Sequence, residues 1–251
     1  MLTFERQQFI LSLLKDKQIV KIQELVDRTE ASESTIRRDL TELEQQNKLK
    51  RIHGGASLLS KRLSEPTIAE REVQNKDEKK AIAKKAASIV EEGDCIFLDA
   101  GTTISEMIPY LKDKNCVVVT NGVNNIPLLL DHGIETHVIG GTVKSGTRAF
   151  VGRGAIQGLE NFRFDKSFIG TNGIHLSLGL TTPDPQEALI KETAISYSQK
   201  AYIVTDHTKF GETYFSKFAC IEEVTFILSD KVEDNVIEQL RKKTEAEVVK
   251  L

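Results

Sequence analysis

Cysteine is scarce in this sequence, and long hydrophobic runs are absent from it. Its three cysteines, Cys95, Cys116 and Cys220, are widely separated and stand beside apolar residues. They indicate neither a disulfide framework nor a zinc site, and we expect three core thiols and no bound metal. No apolar run approaches the length of a membrane span, and the first residues, MLTFERQQF, lack the apolar core of a signal peptide. We therefore expect a cytoplasmic protein that does not contact a membrane.

Acidic residues are missing from one stretch of an otherwise slightly acidic chain. The 251 residues carry a formal net charge of −3, yet the stretch from Lys48 to Arg62 contains five Lys or Arg and no Asp or Glu. Such a local reversal of charge attracts a phosphate backbone. The composition, 39% hydrophobic and 28% charged, is that of a globular protein rather than a disordered chain, and the length fits two unequal domains.

Three segments before this basic stretch show helical periodicity. Apolar spacing predicts a first helix over about Phe4 to Lys15 and a second over about Lys21 to Arg28. A turn at Thr29 to Ala31 separates the second helix from a third. Three helices with a short turn before the third predict a helix-turn-helix, and the basic stretch that follows is predicted to form its wing. The apolar stripe of the third helix consists of Ile36, Leu40 and Leu43.

Polar residues crowd the N-terminal half of the third helix, where a recognition helix reaches base edges. Arginine suits this task because its fork binds two acceptors of guanine or clamps a phosphate. An alternative is that Arg37 and Arg38 only pair with Asp39 and Glu42 on a solvated helix, and that the residues around Gly54 form a plain loop. We predict DNA contacts from Ser32, Ser34, Thr35, Arg37, Arg38, Lys50, Arg51 and His53.

Two motifs in this region resemble a known family. TIRRDL (Thr35 to Leu40) and LKRIHGGA (Leu49 to Ala56) are similar to the signature of the DeoR family of bacterial repressors. The resemblance implies an N-terminal winged helix-turn-helix and a C-terminal effector domain that senses a phosphorylated sugar or a related metabolite.

The helical pattern fades between Ser57 and about Lys76, where Pro66 restricts the backbone of Glu65. We expect a DNA-binding domain over residues 1–57, a linker over 58–77 and an effector-binding domain over 78–251. In the last of these, short apolar strands alternate with helices. That order predicts an α/β domain with a mainly parallel sheet covered on both faces.

Glycine and polar residues follow four of the predicted strands, as DAGTT at 99–103, TNG at 120–122, GG at 140–141 and GTNG at 170–173. Ligands of parallel sheets bind at the carboxyl edge, and glycine-rich loops beside a helix N-terminus accept anions. Each loop alone also fits a plain turn or helix cap, but together they predict a phosphate cradle. The pattern Gly152-Arg153-Gly154 with Gly158 imitates a dinucleotide fingerprint at the wrong spacing, so we expect no cofactor.

The resemblance to the DeoR family extends over this domain, through the same loops, GLTTPDPQEALIK (Gly179 to Lys191) and DHTKFG (Asp206 to Gly211). It implies a fold similar to ribose-phosphate and glucosamine-phosphate isomerases. The stretch TPDPQEA (Thr182 to Ala188) looks most like the fructose-operon repressors of the family, which implies fructose 1-phosphate as effector. The resemblance implies phosphate contacts from Gly101, Thr102, Thr103, Thr120 and Asn121, and sugar or switch contacts from Lys79, Asp99, Asp206 and Lys209.

Four more residues complete the predicted effector site, namely Gly141, Gly173, Glu187 and Lys191. Alternatives remain for several of these positions. Glu187 and Lys191 have the spacing of a helical ion pair, and Asp206 and Lys209 could pair on the surface. Spacing alone favours solvated charges for Arg71 and Lys79.

Together these features predict a repressor of a sugar-utilisation operon. The repressor is expected to bind both operator DNA and a phosphorylated sugar. A homodimer or homotetramer is expected because one head covers a single half-site. One alternative is an enzyme, a sugar-phosphate isomerase with an appended DNA-binding head, since the predicted site supplies carboxylates and a lysine. Another is a nucleoid-type binder with little sequence preference, which the basic stretch alone would support.

Overall fold

The computed structural model describes residues 2–17, 19–46, 48–52, 54–57 and 67–251. The chain divides into two compact units, Met1–Ser64 and Glu65–Leu251. We call them the head and the body and describe each by itself. Among the described residues, no helix is both long and apolar enough to span a bilayer.

The head combines three helices with a small antiparallel sheet. Its elements are α1 (Thr3–Lys17), β1 (Ile19–Lys21), α2 (Ile22–Thr29), α3 (Glu33–Gln45), β2 (Lys50–Ile52) and β3 (Gly55–Ser57). The strand order is β1-β3-β2, so the β2–β3 hairpin is the wing and β1 pins it to the helices. The predicted stripe of α3 is buried in one core with Ile10 and Leu25. The predicted winged helix-turn-helix is confirmed.

The body contains seven helices and twelve strands in its described part. The helices are α4 (Ile68–Val73), α5 (Lys76–Ser88), α6 (Thr102–Ser105), α7 (Asn125–Asp131), α8 (Arg153–Leu159), α9 (Pro185–Ser196) and α10 (Asp234–Arg241). The strands are β4 (Cys95–Leu98), β5 (Val117–Thr120), β6 (Glu135–Val138), β7 (Thr142–Lys144), β8 (Ala149–Val151), β9 (Phe164–Ile169), β10 (Gly173–His175), β11 (Gly179–Thr182), β12 (Ser198–Val204), β13 (Ser216–Ala219), β14 (Thr225–Ser229) and β15 (Ala246–Val249).

Seven of these strands form one parallel sheet in the order β15-β14-β12-β9-β4-β5-β6. Successive side chains point to opposite faces, and on β4 Phe97 packs into one apolar cluster while Ile96 and Leu98 pack into another. The sheet is therefore covered on both faces, and the predicted α/β fold class is confirmed. From β4 the chain continues to β5 on one side, whereas β9 lies on the other, so a crevice opens where β4 and β9 end.

The body departs from the sequence-based expectations at several points. The helix after β4 ends at Ser105, and because Pro109 lacks an N–H the chain continues as a separate short 3-10 helix, Ile108–Tyr110. Residues 67–77, predicted as the end of the linker, contain α4 and the start of α5. The expectation of three core thiols is wrong for Cys95, which is exposed at the first position of β4. Cys116 is buried and Cys220 is half-buried.

Two small sheets were not predicted from the sequence. One is the hairpin β7–β8, and the other joins β10, β11 and β13. Their strands have only three or four residues each. Strands this short carry too few side chains to show an alternating pattern.

Candidate functional sites in the head and the body

The N-terminus of α3 presents a polar, exposed surface on the head. Ser32 caps the helix by accepting a hydrogen bond from the backbone N–H of Thr35 at 3.2 Å, and its hydroxyl lies 2.9 Å from that of Ser34. Ser32 and Ser34 are exposed and Thr35 is half-buried. Because the first turn of a helix has backbone N–H groups without helical partners, this end can accept a phosphate.

The two predicted arginines of α3 extend from its outer face, with side chains 52% and 68% exposed for Arg37 and Arg38. Arg37 pairs with Glu33 at 2.6 Å, and Arg38 lies 3.9 Å from Glu42. Both pairs are exposed, where an ion pair contributes little, so DNA phosphates can compete for the guanidinium groups.

Asp39 has a different role from the one that the pairing alternative gave it. Its carboxylate is fully buried and binds Arg6 of α1, with 2.5 Å between Nε and Oδ2 and 3.2 Å between Nη2 and Oδ1. This hydrogen bond raises the pKa of Arg6 against the opposing effect of burial. The alternative in which Asp39 pairs with Arg37 or Arg38 is therefore wrong, and Asp39 instead fixes α3 on α1.

The wing contacts the outer face of α3 through Arg51. Its guanidinium donates to Thr41 Oγ1 at 2.8 Å, and its backbone N–H donates to Glu44 Oε1 at 2.8 Å. Arg51 is exposed and lies beside the surface that carries Arg37. Lys50 lies in β2, and its side chain is outside the described part of the chain, as is the whole of His53.

The body has a pocket at the crevice between the ends of β4 and β9. Its walls are the segments after β4, β9 and β12, together with residues of α4, α5 and α9. This position is the one where parallel α/β sheets bind ligands. Nine predicted effector residues line it, namely Lys79, Asp99, Gly101, Thr102, Thr103, Glu187, Lys191, Asp206 and Lys209.

A buried ion pair crosses the floor of the pocket. The ammonium of Lys191 on α9 binds Asp99, which follows β4, and their side chains are 6% and 3% exposed. Asp99 also accepts from the backbone N–H of Gly170 at 3.0 Å, and Lys191 donates to the carbonyl of Gly170 at 3.0 Å. The pair therefore holds the ends of β4 and β9 together.

Lys79 joins the pocket to the helix that precedes it. Its ammonium donates to Thr102 Oγ1 at 3.0 Å and to the carbonyl of Arg71 in the last turn of α4. Burial lowers the pKa of Lys79, as do the charges of Lys209 and Arg71, whereas Asp206 raises it. Lys79 is only 5% exposed, so the solvated-charge alternative is wrong for it.

The remaining two carboxylates of the pocket already have hydrogen-bond donors. Glu187 accepts from Lys144 at 3.0 Å and from Thr147 at 2.6 Å, both on the β7–β8 hairpin. Asp206 accepts from the backbone N–H of Thr208 at 2.9 Å and caps the short 3-10 helix His207–Lys209. Glu187 and Lys191 therefore do not form the helical ion pair that their spacing allows. Glu187 instead binds the hairpin, and Lys191 binds Asp99 after β4.

Four predicted effector residues lie outside the pocket lining and instead support the loops around it. Thr120 donates to the carbonyl of Leu98 at 2.7 Å, and Asn121 accepts from the backbone N–H of Ala100 at 2.9 Å. Gly141 has φ +105°, and a Cβ there would lie 2.7 Å from the Val151 carbonyl oxygen. A Cβ on Gly173 would lie 2.5 Å from the Glu212 carbonyl oxygen. Ligand contact by these four residues stays a prediction.

Arg71, Thr171, Asn172 and Tyr214 are among the lining residues that the sequence analysis does not assign to the site. Thr171 and Asn172 belong to the GTNG loop, so that motif holds a signal for them. Spacing alone favours a solvated charge for Arg71, and no motif marks Tyr214. No group of three or more His, Cys, Asp or Glu that could hold a metal occurs within the described residues.

Comparison with known proteins agrees with this two-part architecture. The family description "DeoR-like helix-turn-helix domain" matches residues 6–62, and "DeoR C terminal sensor domain" matches residues 74–231. The chain therefore belongs to the DeoR family of transcriptional regulators, and the predicted resemblance is confirmed.

Several relatives are similar over nearly the whole chain. The chain is 49% identical over 251 residues to the uncharacterized HTH-type transcriptional regulator FruR of Bacillus subtilis (strain 168), covering 100% of both. It is 37% identical to the HTH-type transcriptional regulator GlpR of Haloferax volcanii, over 92% of this chain and 91% of that one. It is 33% identical to the lactose phosphotransferase system repressor of Staphylococcus aureus (strain NCTC 8325 / PS 47), over 98% of each.

Solved structures show weaker similarity. Ribose 5-phosphate isomerase A from Methanocaldococcus jannaschii matches with a TM-score of 0.42 and 16% identity over 55% of each chain. The delta subunit of eIF2B from Chaetomium thermophilum matches with a TM-score of 0.46 and 16% identity, over 64% of this chain and 57% of that one.

Proposed function

We propose that this regulator is a repressor of a sugar-utilisation operon, and that a phosphorylated sugar releases it from its operator by binding in the pocket of the body. Fructose 1-phosphate is the proposed effector. The TPDPQEA resemblance supports this choice, as does the name FruR of a relative that is 49% identical. A homodimer or homotetramer is proposed because paired heads read paired half-sites.

The residues that line the pocket support the effector proposal. Arg71, Lys79 and Lys209 line it together with the Gly101–Thr103 loop, which brings ammonium, guanidinium, hydroxyl and backbone N–H donors to one place. A phosphate accepts hydrogen bonds from all of these groups, and charged donors make the stronger ones. Asp99 and Asp206 add carboxylate oxygens that suit sugar hydroxyls.

The exposed polar residues of the head support the proposal of DNA binding. Ser32, Ser34, Thr35, Arg37 and Arg38 occupy the part of α3 that enters a major groove in winged helix-turn-helix proteins. Arg51 on the wing adjoins that surface. Lys50 and His53 are proposed, on the sequence alone, to contact a phosphate or a groove.

Lys79 supplies a physical route for control. Its ammonium is shared between Thr102 and the Arg71 carbonyl of α4. A phosphate bound at the Thr102 loop would attract this ammonium and weaken its hold on α4, the first described helix after residues 58–66. An effector changes DNA binding only if it binds one arrangement of the chain better than another. The contact between Lys79 and α4 is the one that we propose to differ between the two arrangements.

We propose binding without turnover. A general base needs a carboxylate that is available to the substrate, whereas Asp99 is paired with Lys191, Glu187 is paired with Lys144, and Asp206 accepts from Thr208 and acts on the charge of Lys79. Incubation with fructose, ribose and glucosamine phosphates tests this directly. Aldose–ketose conversion above background would favour the isomerase alternative.

The effector proposal is tested by a thermal-shift screen with phosphorylated sugars, followed by operator binding. A ligand at 100 times its Kd stabilises the folded protein by about 2.7 kcal/mol. Thr102→Val should abolish the ligand response and keep operator binding, while Thr142→Val, on the exposed strand β7, should behave like wild type. If Thr102→Val also lost operator binding, the two sites would not be separate.

The DNA proposal is tested by fluorescence anisotropy on duplexes from the promoter region of the operon. Arg37→Ala should reduce discrimination at one base position by about 1–3 kcal/mol, while Lys50→Ala should lower the salt slope by about one unit. Arg241→Ala, in α10 of the body, is the matched control. An equal loss of affinity for all duplexes on Arg37→Ala would favour the nucleoid-type alternative.

A further inference from the structure

A buried carboxylate adjoins segments that line the pocket. Glu78, on the first turn of α5, has a side chain that is 0% exposed. It accepts from the backbone N–H of His207 at 2.9 Å, from His207 Nδ1 at 2.9 Å and from Ser229 Oγ at 2.5 Å. The Lys231 ammonium lies 3.9 Å away. Because a buried carboxylate is costly without partners, these contacts fix its position and the positions of its donors.

The contact between Glu78 and His207 joins two segments that both contribute to the pocket. Glu78 precedes Lys79 in the chain, and His207 follows Asp206, and both Lys79 and Asp206 line the pocket. Asp206 raises the pKa of Lys79, as expected for opposite charges that face each other. The Glu78–His207 pair therefore sets the spacing between the two side chains next to it.

The loop that carries Asp206 and Lys209 has little stability of its own. It contains one turn of 3-10 helix, His207–Lys209, and a single turn costs more to nucleate than its hydrogen bonds return. The cap from Asp206 to Thr208 is local, whereas the two hydrogen bonds from His207 to Glu78 attach the loop to α5.

We infer that His207 is a positioning residue of the effector site, which holds Asp206 and Lys209 in place through its imidazole hydrogen bond to Glu78. This inference rests on the proposed function. His207 is not among the residues that line the pocket. It lines a separate groove with Phe210 and Lys231, so it acts on the ligand only through the loop.

The geometry also identifies the atom that matters. A carboxylate accepts hydrogen bonds, so the Nδ1 atom that faces Glu78 carries a proton. The amide nitrogen of an asparagine can supply a donor at about the same distance from the backbone, whereas a leucine cannot. His207→Asn should therefore restore what His207→Leu removes.

The test compares His207→Leu, His207→Asn and Lys231→Met in the full-length protein. Calorimetric titration with fructose 1-phosphate measures effector affinity, anisotropy without ligand measures operator affinity, and tyrosine fluorescence checks folding. His207→Leu should weaken effector binding at least about tenfold, since a hydrogen bond to a charged group is lost. His207→Asn and Lys231→Met should stay within about threefold of wild type, and all three variants should keep wild-type operator affinity.

The outcomes separate this inference from the proposed function. If wild type binds fructose 1-phosphate and His207→Leu binds it equally well, the positioning role is wrong while the effector site stands. The positioning role is also wrong if His207→Asn is as weak as His207→Leu, or if Lys231→Met is equally weak, since a general disturbance of Glu78 would then explain the loss. If wild type binds neither fructose 1-phosphate nor the other phosphorylated sugars, the proposed function and this inference fail together.

Discussion

The buried pair of Asp99 and Lys191 offers the sharpest test of how the body is held together. Their side chains are 3% and 6% exposed, so each charge depends on the other for its solvation. Lys191→Met leaves Asp99 buried with the backbone N–H of Gly170 as its remaining donor among the described residues. Removing one partner of a buried pair typically costs about 3–5 kcal/mol, and we expect that loss for Lys191→Met and for Asp99→Asn.

The double variant should behave differently from the sum of the two single variants. The asparagine at position 99 would still accept from Gly170, and the methionine at position 191 would leave no unpaired charge. The double variant should therefore be no less stable than either single variant, which corresponds to a coupling energy of about 3 kcal/mol.

Tyrosine fluorescence during urea unfolding is the suitable assay for this cycle. The chain has no tryptophan, and its four tyrosines, Tyr110, Tyr197, Tyr202 and Tyr214, all lie in the body, so the signal reports on that unit alone. Lys200→Met is a control, because its pair with Glu245 is exposed and should contribute little. Single-variant losses below about 1 kcal/mol, or losses that simply add, would refute the reasoning.

Three further predictions concern other contacts. Burial lowers the pKa of Lys79 below 10.5, so its ammonium loses its proton as the pH rises through the lowered value. The affinity for a sugar phosphate, measured by calorimetry between about pH 7 and 10, should therefore fall at a lower pH in wild type than in Lys79→Arg, whose guanidinium stays charged. Gly141→Ala should destabilise the body by about 1–3 kcal/mol through a positive φ and a backbone clash, whereas Gly146→Ala, with open space around its Cβ, should not shift the urea midpoint downward. Arg6→Met should lower the stability of the head by about 3 kcal/mol. Circular dichroism should then show a transition at lower urea concentration than in wild type, and tyrosine fluorescence, which reports on the body, should not show it.

The elements that the sequence predicted well are those whose pattern is local and repeated. The stripe of Ile36, Leu40 and Leu43 matches the structure, as does the alternation of short strands with helices in the body, because burial imposes apolar residues at the spacing of the element. The carboxyl-edge rule then brought the loop after β4, with Asp99 and Thr102, to the pocket, although on its own this loop also fits a plain turn.

The partners of charged residues could not be predicted in the same way. Asp99 and Lys191 are 92 positions apart, and Arg6 and Asp39 are 33 apart. Helical spacing suggests only neighbours three or four positions away, so it offered Glu187 as a partner for Lys191 and could not indicate Arg6 as the partner of Asp39. Long-range pairing depends on which strands adjoin in the sheet, and that order was not legible from the sequence.

The same pairing supports the proposal of a phosphorylated rather than a neutral effector. Four cations line it, Arg71, Lys79, Lys191 and Lys209, against the carboxylates of Asp99, Glu187 and Asp206, and Lys144 adds a further cation at Glu187. Asp99 is offset by Lys191, and Lys144 is shared by Glu187 and Asp184, whereas the three cations Lys79, Lys209 and Arg71 outnumber the carboxylate of Asp206 on their side of the lining. A phosphate carries close to two negative charges at neutral pH and can offset that excess, while a free sugar would leave it in place. Since Lys79 is also the residue that reaches α4, the charge proposed to attract the ligand is also the one whose movement can be transmitted along the chain.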